Sequence, residues 1–447
     1  MGWRWPPASA ASAWLALGAA GGGYLVELPG GTGRRWVDGP LHGLAAAFGW
    51  FGPDRFTVGL IGCGGAYLVA LACARAIPER WALAAAAAAI VAFTVGPTIV
   101  SSDVFGYIAY ARGTAHGLDP YVSPPIALGH DGILALVYWK HQTSPYGPLF
   151  TIASTPLGLL SAPGALWLYK AAAGLAAITI TVLVGRIAGA RGADPARAAI
   201  FVGLNPVLLL YAVSGGHNDL LAALLVLCAV ALTIGRREVA GASVAVAALA
   251  VKATLGIALP FILIGAERRR RAVAGALVAL VALAIPTLAL FGIHVLDQLH
   301  RIASDPRFDI EFSGPDSLAR ALGTGIDSPL RVGCTAAALA AAAVALVRAW
   351  RGWDWITAAG WAVLALLASI ASLAPWYLVW LLPLAALGRG RSLWIAALLA
   401  TGYLLAVHLP ALGGQPWLRP ADSHLSGRAL ALLDHPAGRS AAPPRPG

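Results

Sequence analysis

The sequence predicts an all-α polytopic integral membrane protein. Hydrophobic residues make up 59% of its 447 residues and charged residues only 11%, whereas a soluble domain carries about a quarter charged residues. Several uninterrupted apolar runs reach about 20 residues, the length at which a helix crosses a bilayer. No polar stretch is long enough for a separate soluble domain, so residues 1–410 are predicted to form one membrane domain.

The apolar runs predict a bundle of about 11 to 13 transmembrane helices. Full spans are predicted at 8–29, 57–76, 81–100, 165–187, 196–213, 218–234, 272–293, 329–348, 353–374, 376–388 and 392–410. Two further apolar segments, 147–160 and 238–265, are predicted to be short or re-entrant helices, which membranes tolerate when protein surrounds them. The tail 411–447 is rich in Pro, Ala and Arg and is predicted to be weakly structured.

The net charge of +11 comes from short Arg clusters between the apolar runs, such as Arg268–Arg271. That pattern encodes orientation in a membrane and does not indicate a nucleic-acid partner. With the N-terminus inside, most of these clusters fall on the inner side. The polar segment 101–148 and a second loop, 295–328, then open on the outer face. We therefore expect a multi-pass protein of the cell membrane with an extracytoplasmic site.

The longest polar interval is 101–148, and its first acid is Asp103. A carboxylate at the end of a span can act as a general base, and it can equally be the N-cap of a helix over 104–115. The aromatic residues of that helix suit a position in the membrane interface. Arg112 suits either a phosphate partner or an anchor to lipid headgroups.

A second polar group, His217-Asn218-Asp219, follows Gly215-Gly216 between two predicted spans. A turn or a helix cap needs only one of its three polar residues, so a role in a site is favoured. Lys252 lies inside an apolar segment and needs a partner, either a phosphate or a carboxylate such as Asp219. Lys170 is predicted to extend towards the membrane interface.

The loop 295–328 contains Arg301, which suits an anion or a solvated surface of mixed charge. Pro375-Trp376-Tyr377 fits an aromatic belt better than a sugar platform. The chain has no Walker loop, no dinucleotide fingerprint and no HExxH pattern. The four cysteines form no CxxC pair and are predicted to be small buried residues. Neither a metal nor another cofactor is expected.

Three groups of residues resemble a known family. They are Asp103-Val-Phe-Gly-Tyr with Arg112-Gly and Gly117-Leu-Asp119-Pro120-Tyr121, then Ser144-Pro145-Tyr146-Gly147-Pro148, then Asn205-Pro206 with Gly215-Gly216-His217-Asn218-Asp219 and Lys252. In this order they resemble lipid-linked glycosyltransferases of the GT-C superfamily. More narrowly, they are similar to the actinobacterial polyprenol-phosphomannose-dependent α-(1→6)-mannosyltransferases. The resemblance covers about residues 95–265.

The resemblance implies a GT-C-like bundle, a polyprenyl-phosphate-mannose donor and a lipid-anchored mannan acceptor within the membrane lipids. It also implies an inverting transfer without a metal, in which Asp103 deprotonates the acceptor hydroxyl. Lys252 and Arg112, with Arg301 behind them, would stabilise the leaving phosphate, and His217 and Asp219 would position the sugar or the base. The substrate-binding candidates are Arg112, Asp119, Tyr121, Tyr146, His217, Asn218, Asp219, Lys252 and Arg301.

Three other hypotheses remain open at this point. The transferred sugar could be arabinose or glucose. Broken helices and buried charges are also features of transporters and lipid flippases. A non-catalytic membrane scaffold is the third hypothesis, and it would not need Asp103, His217, Asp219 and Lys252 to lie close together.

Overall fold

A computed structural model describes residues 55–96, 98, 101–297 and 309–407. Within these ranges the regular elements are helices and none is a strand, which confirms the all-α class. The predicted span 8–29, the tail 411–447 and Arg301 lie outside the described residues.

The α-helices are numbered in chain order. They are α1 (Arg55–Ala72), α2 (Glu79–Val95), α3 (Asp103–Ala115), α4 (Pro148–Ser154), α5 (Ala162–Ala190), α6 (Pro195–Gly203), α7 (Asp219–Ile234), α8 (Glu238–Val251), α9 (Leu259–Gly265), α10 (Arg269–Phe291), α11 (Gly314–Leu322), α12 (Ser328–Trp350), α13 (Trp355–Ser369), α14 (Leu382–Leu387) and α15 (Ser392–Val407). A π-helix, Leu208–Val213, follows α6, and the 3₁₀ segments nearest the site are Ala253–Ala258 and Pro375–Trp380.

Three of the described helices are long and apolar enough to cross a membrane, namely Ala162–Ala190, Arg269–Leu296 and Ser328–Trp350. The first, α5, is central, because it packs against α2, α6 and α7. The other two expose most of their apolar side chains, as expected of helices that face lipid. The protein is therefore a helical membrane protein, and the total of 11 to 13 spans stays a prediction.

Several predicted spans are shorter or more broken than their hydropathy suggests. The span 81–100 ends as a helix at Val95, and 353–374 ends at Ser369. The span 196–213 breaks after Gly203, because Pro206 has no N–H for a helical hydrogen bond. The side chain of Asn205 accepts hydrogen bonds from the Val207 and Leu208 N–H groups there. The segments 147–160 and 238–265 are short consecutive helices, as predicted.

The helix predicted over 104–115 exists as α3, but it does not lie in the membrane interface. Residues 104–113 are all buried in the protein. The 3₁₀ segment Thr155–Leu159 packs closely along α3. The segment 101–148 thus begins with an internal helix, which fixes Asp103 at a defined position.

Gly147 joins the segment 101–148 to the break between α8 and the segment Ala253–Ala258. Its N–H donates a 3.1 Å hydrogen bond to the Val251 carbonyl. A Cβ atom at this position would collide with the Ala250 carbonyl. A glycine is therefore required here, since only hydrogen fits between the two backbones.

We predict that Gly147→Ala destabilises the protein by about 2 kcal/mol, because the added methyl forces the backbones at 147 and 250 apart. Denaturant unfolding of the purified protein in detergent measures the loss. Gly333→Ala is the matched control, since open space surrounds a Cβ on that residue of α12. Equal unfolding midpoints for the two variants would contradict the close packing at Gly147.

Candidate active site

A cavity of about 1160 Å³, measured with its open mouth, lies where the start of α3 meets the segments 137–146, 252–254 and 370–380. The described residues of its wall include an acid, Asp103, and a cation, Lys252. Aromatic rings form much of the remaining wall: Tyr110, Tyr138, Trp139, Tyr146, Trp376, Tyr377 and Trp380. An apolar cavity with a few convergent polar groups is typical of a site for a small molecule.

Asp103 is the first residue of α3 and follows the N-cap residue Ser102, so the cap hypothesis does not account for its carboxylate. The side chain is 15% exposed and lines the cavity, where the Trp139 side chain hydrogen-bonds to it. Burial raises the pKa of the Asp103 carboxyl to about 7, although the Lys252 charge lowers it. A carboxylate with such a pKa can accept a proton near neutral pH.

His217 lies directly behind Asp103. Its ring is fully buried and stacks on Trp376 with ring centroids 3.9 Å apart. Its Nδ1 lies 3.8 Å from Asp103 Oδ2 and 3.4 Å from the Tyr107 hydroxyl. Burial, together with the charge of Lys252, holds the pKa of His217 well below its usual range. A neutral imidazole therefore adjoins Asp103, and the two do not form an ion pair.

Asp219 anchors the cation of the cavity. It begins α7, where the positive end of the helix dipole favours a carboxylate. Its Oδ1 accepts hydrogen bonds from Lys252 Nζ at 3.2 Å and from Trp380 Nε1 at 2.9 Å. A buried charge is tolerated when an opposite charge and further hydrogen bonds compensate it. Asp219 thus fixes the position of the Lys252 ammonium.

Lys252 sits at the break between α8 and the segment Ala253–Ala258. Its Nζ lies 4.8 Å from the ring centroid of Tyr377, 5.7 Å from that of Trp380 and 5.9 Å from that of Tyr146. Aromatic faces at such distances attract a cation. The side chain remains 12% exposed and lines the cavity, so an anionic group in the cavity can reach the ammonium.

Three buried polar atoms next to this centre have no hydrogen-bond partner among the described residues: His217 Nε2, Asn218 Nδ2 and Asp219 Oδ2. An unpaired buried polar atom costs free energy, so a cluster of them in a protein core needs an explanation. A site that binds polar groups of a ligand, or water, provides that explanation.

The structure brings together six of the residues that the sequence indicates: Asp103, Tyr146, His217, Asn218, Asp219 and Lys252. Tyr146 lines the cavity and packs edge-on against Tyr107 at 4.8 Å. The Tyr107 hydroxyl also donates to Asn218 Oδ1 at 3.3 Å. A non-catalytic scaffold would not need this convergence.

Three other predicted residues support the structure of the segment 101–148. Arg112 forms a 2.8 Å ion pair with Asp131. Asp119 accepts a hydrogen bond from the Tyr121 N–H at 2.9 Å. The Tyr121 hydroxyl donates to the Tyr146 carbonyl at 3.0 Å, which links this turn to the cavity wall. Contact of these three residues with a substrate stays a prediction, as does that of Arg301.

Two interpretations of the sequence are wrong. Lys170 does not extend to the membrane interface, because its side chain is fully buried. Trp376 does not belong to an aromatic belt at the membrane surface, because it is only 6% exposed and lines the cavity with Tyr377. Both side chains were assigned from their position near the end of a span, and that position does not reveal which way a side chain points.

Sequence reasoning missed Tyr107, Trp139 and Trp380, which contact His217, Asp103 and Asp219 respectively. A buried Trp usually finds an acceptor for its indole N–H. The position of Trp380 in an apolar run therefore indicates a polar partner. Within the described ranges, no three His, Cys, Asp or Glu side chains are grouped so as to hold a metal ion. The four cysteines are free thiols.

The fold and the cavity define a class: a helical membrane protein whose cavity combines a carboxylate, a cation and aromatic rings. Residues 8–268 match the family model described as "Alpha-(1->6)-mannopyranosyltransferase, N-terminal domain". The chain belongs to this mannopyranosyltransferase family, of the MptA/B type, which confirms the resemblance found in the sequence.

The curated relatives are similar over part of their length. "Alpha-(1->6)-mannopyranosyltransferase A" of Mycobacterium tuberculosis is 31% identical over 176 residues, which cover 37% of this chain and 33% of the relative. The protein of the same name from Corynebacterium glutamicum is 30% identical over 182 residues, 39% of this chain and 37% of the relative. The matched regions thus span about a third of the length of these relatives. No solved structure is significantly similar to this chain.

We predict that Lys252→Met destabilises the protein by about 3 kcal/mol, because it leaves the buried Asp219 carboxylate without its cation. Asp219→Asn should cost a similar amount, and the double variant clearly less than the sum of the two. Denaturant unfolding in detergent measures all three. The control is Arg320→Met, which breaks an exposed pair with Asp316 and should cost no more than about 0.5 kcal/mol. Additive losses at Lys252 and Asp219 would refute the coupling.

Proposed function

We propose that this protein is a membrane glycosyltransferase that moves mannose from polyprenyl-phosphate-mannose to a lipid-anchored mannan acceptor. The new linkage is α-(1→6), and the anomeric centre is inverted. The observation that supports this most strongly is the joint placement of Asp103 and Lys252 on one aromatic cavity, in a chain that belongs to a mannopyranosyltransferase family.

Asp103 is proposed as the general base. The primary hydroxyl of the acceptor sugar gives its proton to the Asp103 carboxylate while its oxygen attacks C1 of the donor mannose. The carboxylate must be deprotonated before the reaction, and it must be basic enough to accept the proton of the hydroxyl. Its raised pKa of about 7 meets both requirements. The hydrogen bond from Trp139 orients the carboxylate towards the cavity.

Lys252 is proposed to stabilise the leaving group. As the bond from C1 to the phosphate oxygen breaks, negative charge accumulates on the polyprenyl phosphate, which needs a cation rather than a proton. The ammonium is held by Asp219 at 3.2 Å and by aromatic faces, so it need not reorganise during the reaction. Because attack and departure occur on opposite sides of C1, a β-phosphate donor gives an α-linkage.

His217 and Asp219 are proposed to position the base and the cation. The neutral His217 ring, stacked on Trp376, supports the rear of Asp103. Trp376, Tyr377 and Trp380 also line the cavity, and aromatic rings suit the apolar face of a sugar. Arg112 and Arg301 remain candidates for further phosphate contacts.

The proposed topology places the cavity on the outer face of a multi-pass cell-membrane protein. The distribution of charge supports this orientation, because it leaves Arg268–Arg271 and most other Arg clusters inside. The donor lipid would then lie in the outer leaflet, with its phosphate at the level of Lys252. No metal is proposed for this reaction.

We predict that Asp103→Asn lowers transfer by about 10²- to 10⁴-fold, because the amide cannot accept the proton. The assay gives the purified protein radiolabelled polyprenyl-phosphate-mannose and a short α-(1→6)-mannoside and measures labelled product. Asp297→Asn, an exposed acid that lies outside the cavity wall, is the matched control and should keep full activity.

The outcomes separate the hypotheses. Undiminished transfer by a folded Asp103→Asn protein would keep the enzyme and refute the base. Transfer of arabinose or glucose, but not mannose, from a polyprenyl-phosphate donor would refute the mannosyl assignment. If no lipid-linked sugar is transferred, movement of the lipid itself across vesicles becomes the hypothesis to test.

A further inference from the structure

Lys170 of α5 is a fully buried cation that does not belong to the cavity wall. Its Nζ donates hydrogen bonds to three backbone carbonyls, those of Gly96 at 2.8 Å, Ser214 at 2.8 Å and Phe93 at 3.4 Å. An ammonium has three N–H donors, so these three acceptors use its full capacity. An apolar side chain would fill the same space without such a network.

The three carbonyls belong to two separate segments. Phe93 and Gly96 lie at the C-terminal end of α2, where a cation also compensates the negative end of the helix dipole. Seven residues after Gly96 the chain reaches Asp103. Ser214 ends the π-helix, and three residues later the chain reaches His217. One ammonium thus joins the segment before Asp103 to the segment before His217.

Gly216 lets the second segment approach Lys170 closely. Its φ is +65°, a conformation that favours glycine, and a Cβ there would lie 3.2 Å from Lys170 Cγ. The loop from Ser214 to His217 therefore folds over the stem of Lys170 while its first carbonyl binds the ammonium. Beyond the loop, His217 approaches Asp103 at 3.8 Å and Asp219 binds Lys252 at 3.2 Å.

We propose that Lys170 is a positioning residue for the transfer reaction. It sets the spacing between Asp103 on one segment and the His217–Asp219 group, with Lys252, on the other. The proposal rests on the proposed function, since it assigns Lys170 to the alignment of base and cation. Lys170 itself has no access to a substrate, so it is not a catalytic residue.

The first test needs no substrate. Hydrogen exchange, followed by mass spectrometry of the full chain in detergent, compares wild type with Lys170→Met. We expect faster exchange in two regions only, 93–106 and 214–220, because these regions contain the three carbonyls that the ammonium binds and the residues that directly follow them. Unchanged exchange in both regions, or faster exchange throughout the protein, would overturn the proposal. Arg320→Met, which removes a cation of α11 that does not line the cavity, is the control and should change neither region.

The second test is kinetic. Lys170→Met should lower kcat for mannosyl transfer by roughly 100-fold with little change in KM, because a small displacement of base from cation affects the transition state more than binding. Asp103→Glu displaces the carboxylate directly, without any change at Lys170. If Lys170 acts through the position of Asp103, the loss in the double variant is at least about fivefold smaller than the product of the single losses.

Losses that multiply would show a general structural role and overturn the proposal. Lys170→Gln retains two N–H donors on a shorter side chain and should give an intermediate kcat, and this variant replaces Lys170→Met if that protein does not fold. If wild type transfers no lipid-linked sugar, the proposed function fails by itself. The exchange experiment then still shows whether Lys170 joins the two segments.

Discussion

Three charged side chains, Asp103, Asp219 and Lys252, lie together in the interior of a membrane protein, and each must be compensated there. Asp219 and Lys252 neutralise each other, and Trp380 and the surrounding rings stabilise the pair. Asp103 has weaker compensation, so its carboxyl binds a proton more readily than usual. The arrangement that compensates the buried charges thus also leaves the pKa of Asp103 in the range that suits a general base.

The helical class and the apolar segments follow from composition and run length, because a bilayer requires both. The breaks are less predictable. Pro206 and the polar Lys252 mark two of these breaks in the sequence. The helix end at Ser369, in contrast, has no proline or glycine within five residues on either side. That break lets 370–380 turn into the cavity wall. Irregular backbone is tolerated at such a point because it lines a cavity, and only the three-dimensional packing shows where that cavity lies.

The acid, the His217–Asp219 group and Lys252 were detectable in the sequence because charged groups in apolar segments demand partners. For Lys252 the sequence offers a phosphate or a carboxylate such as Asp219 as the partner, and the packing of α7 against α8 brings Asp219 to it. Lys170 and Trp376 were misassigned for a related reason. Hydropathy gives the depth of a residue in the membrane, whereas the direction of its side chain depends on helix rotation, which no single-residue pattern specifies.

The measurement that tests the account most directly is the pH dependence of kcat/KM for mannosyl transfer, which reports the ionisation of the free enzyme. As the proposed base, Asp103 has to be deprotonated, and its pKa is raised to about 7. We therefore predict that kcat/KM rises about tenfold per pH unit below about pH 7 and levels off above it. A profile that is flat or falling between about pH 5.5 and 8.5 would contradict the assignment of Asp103 as the base.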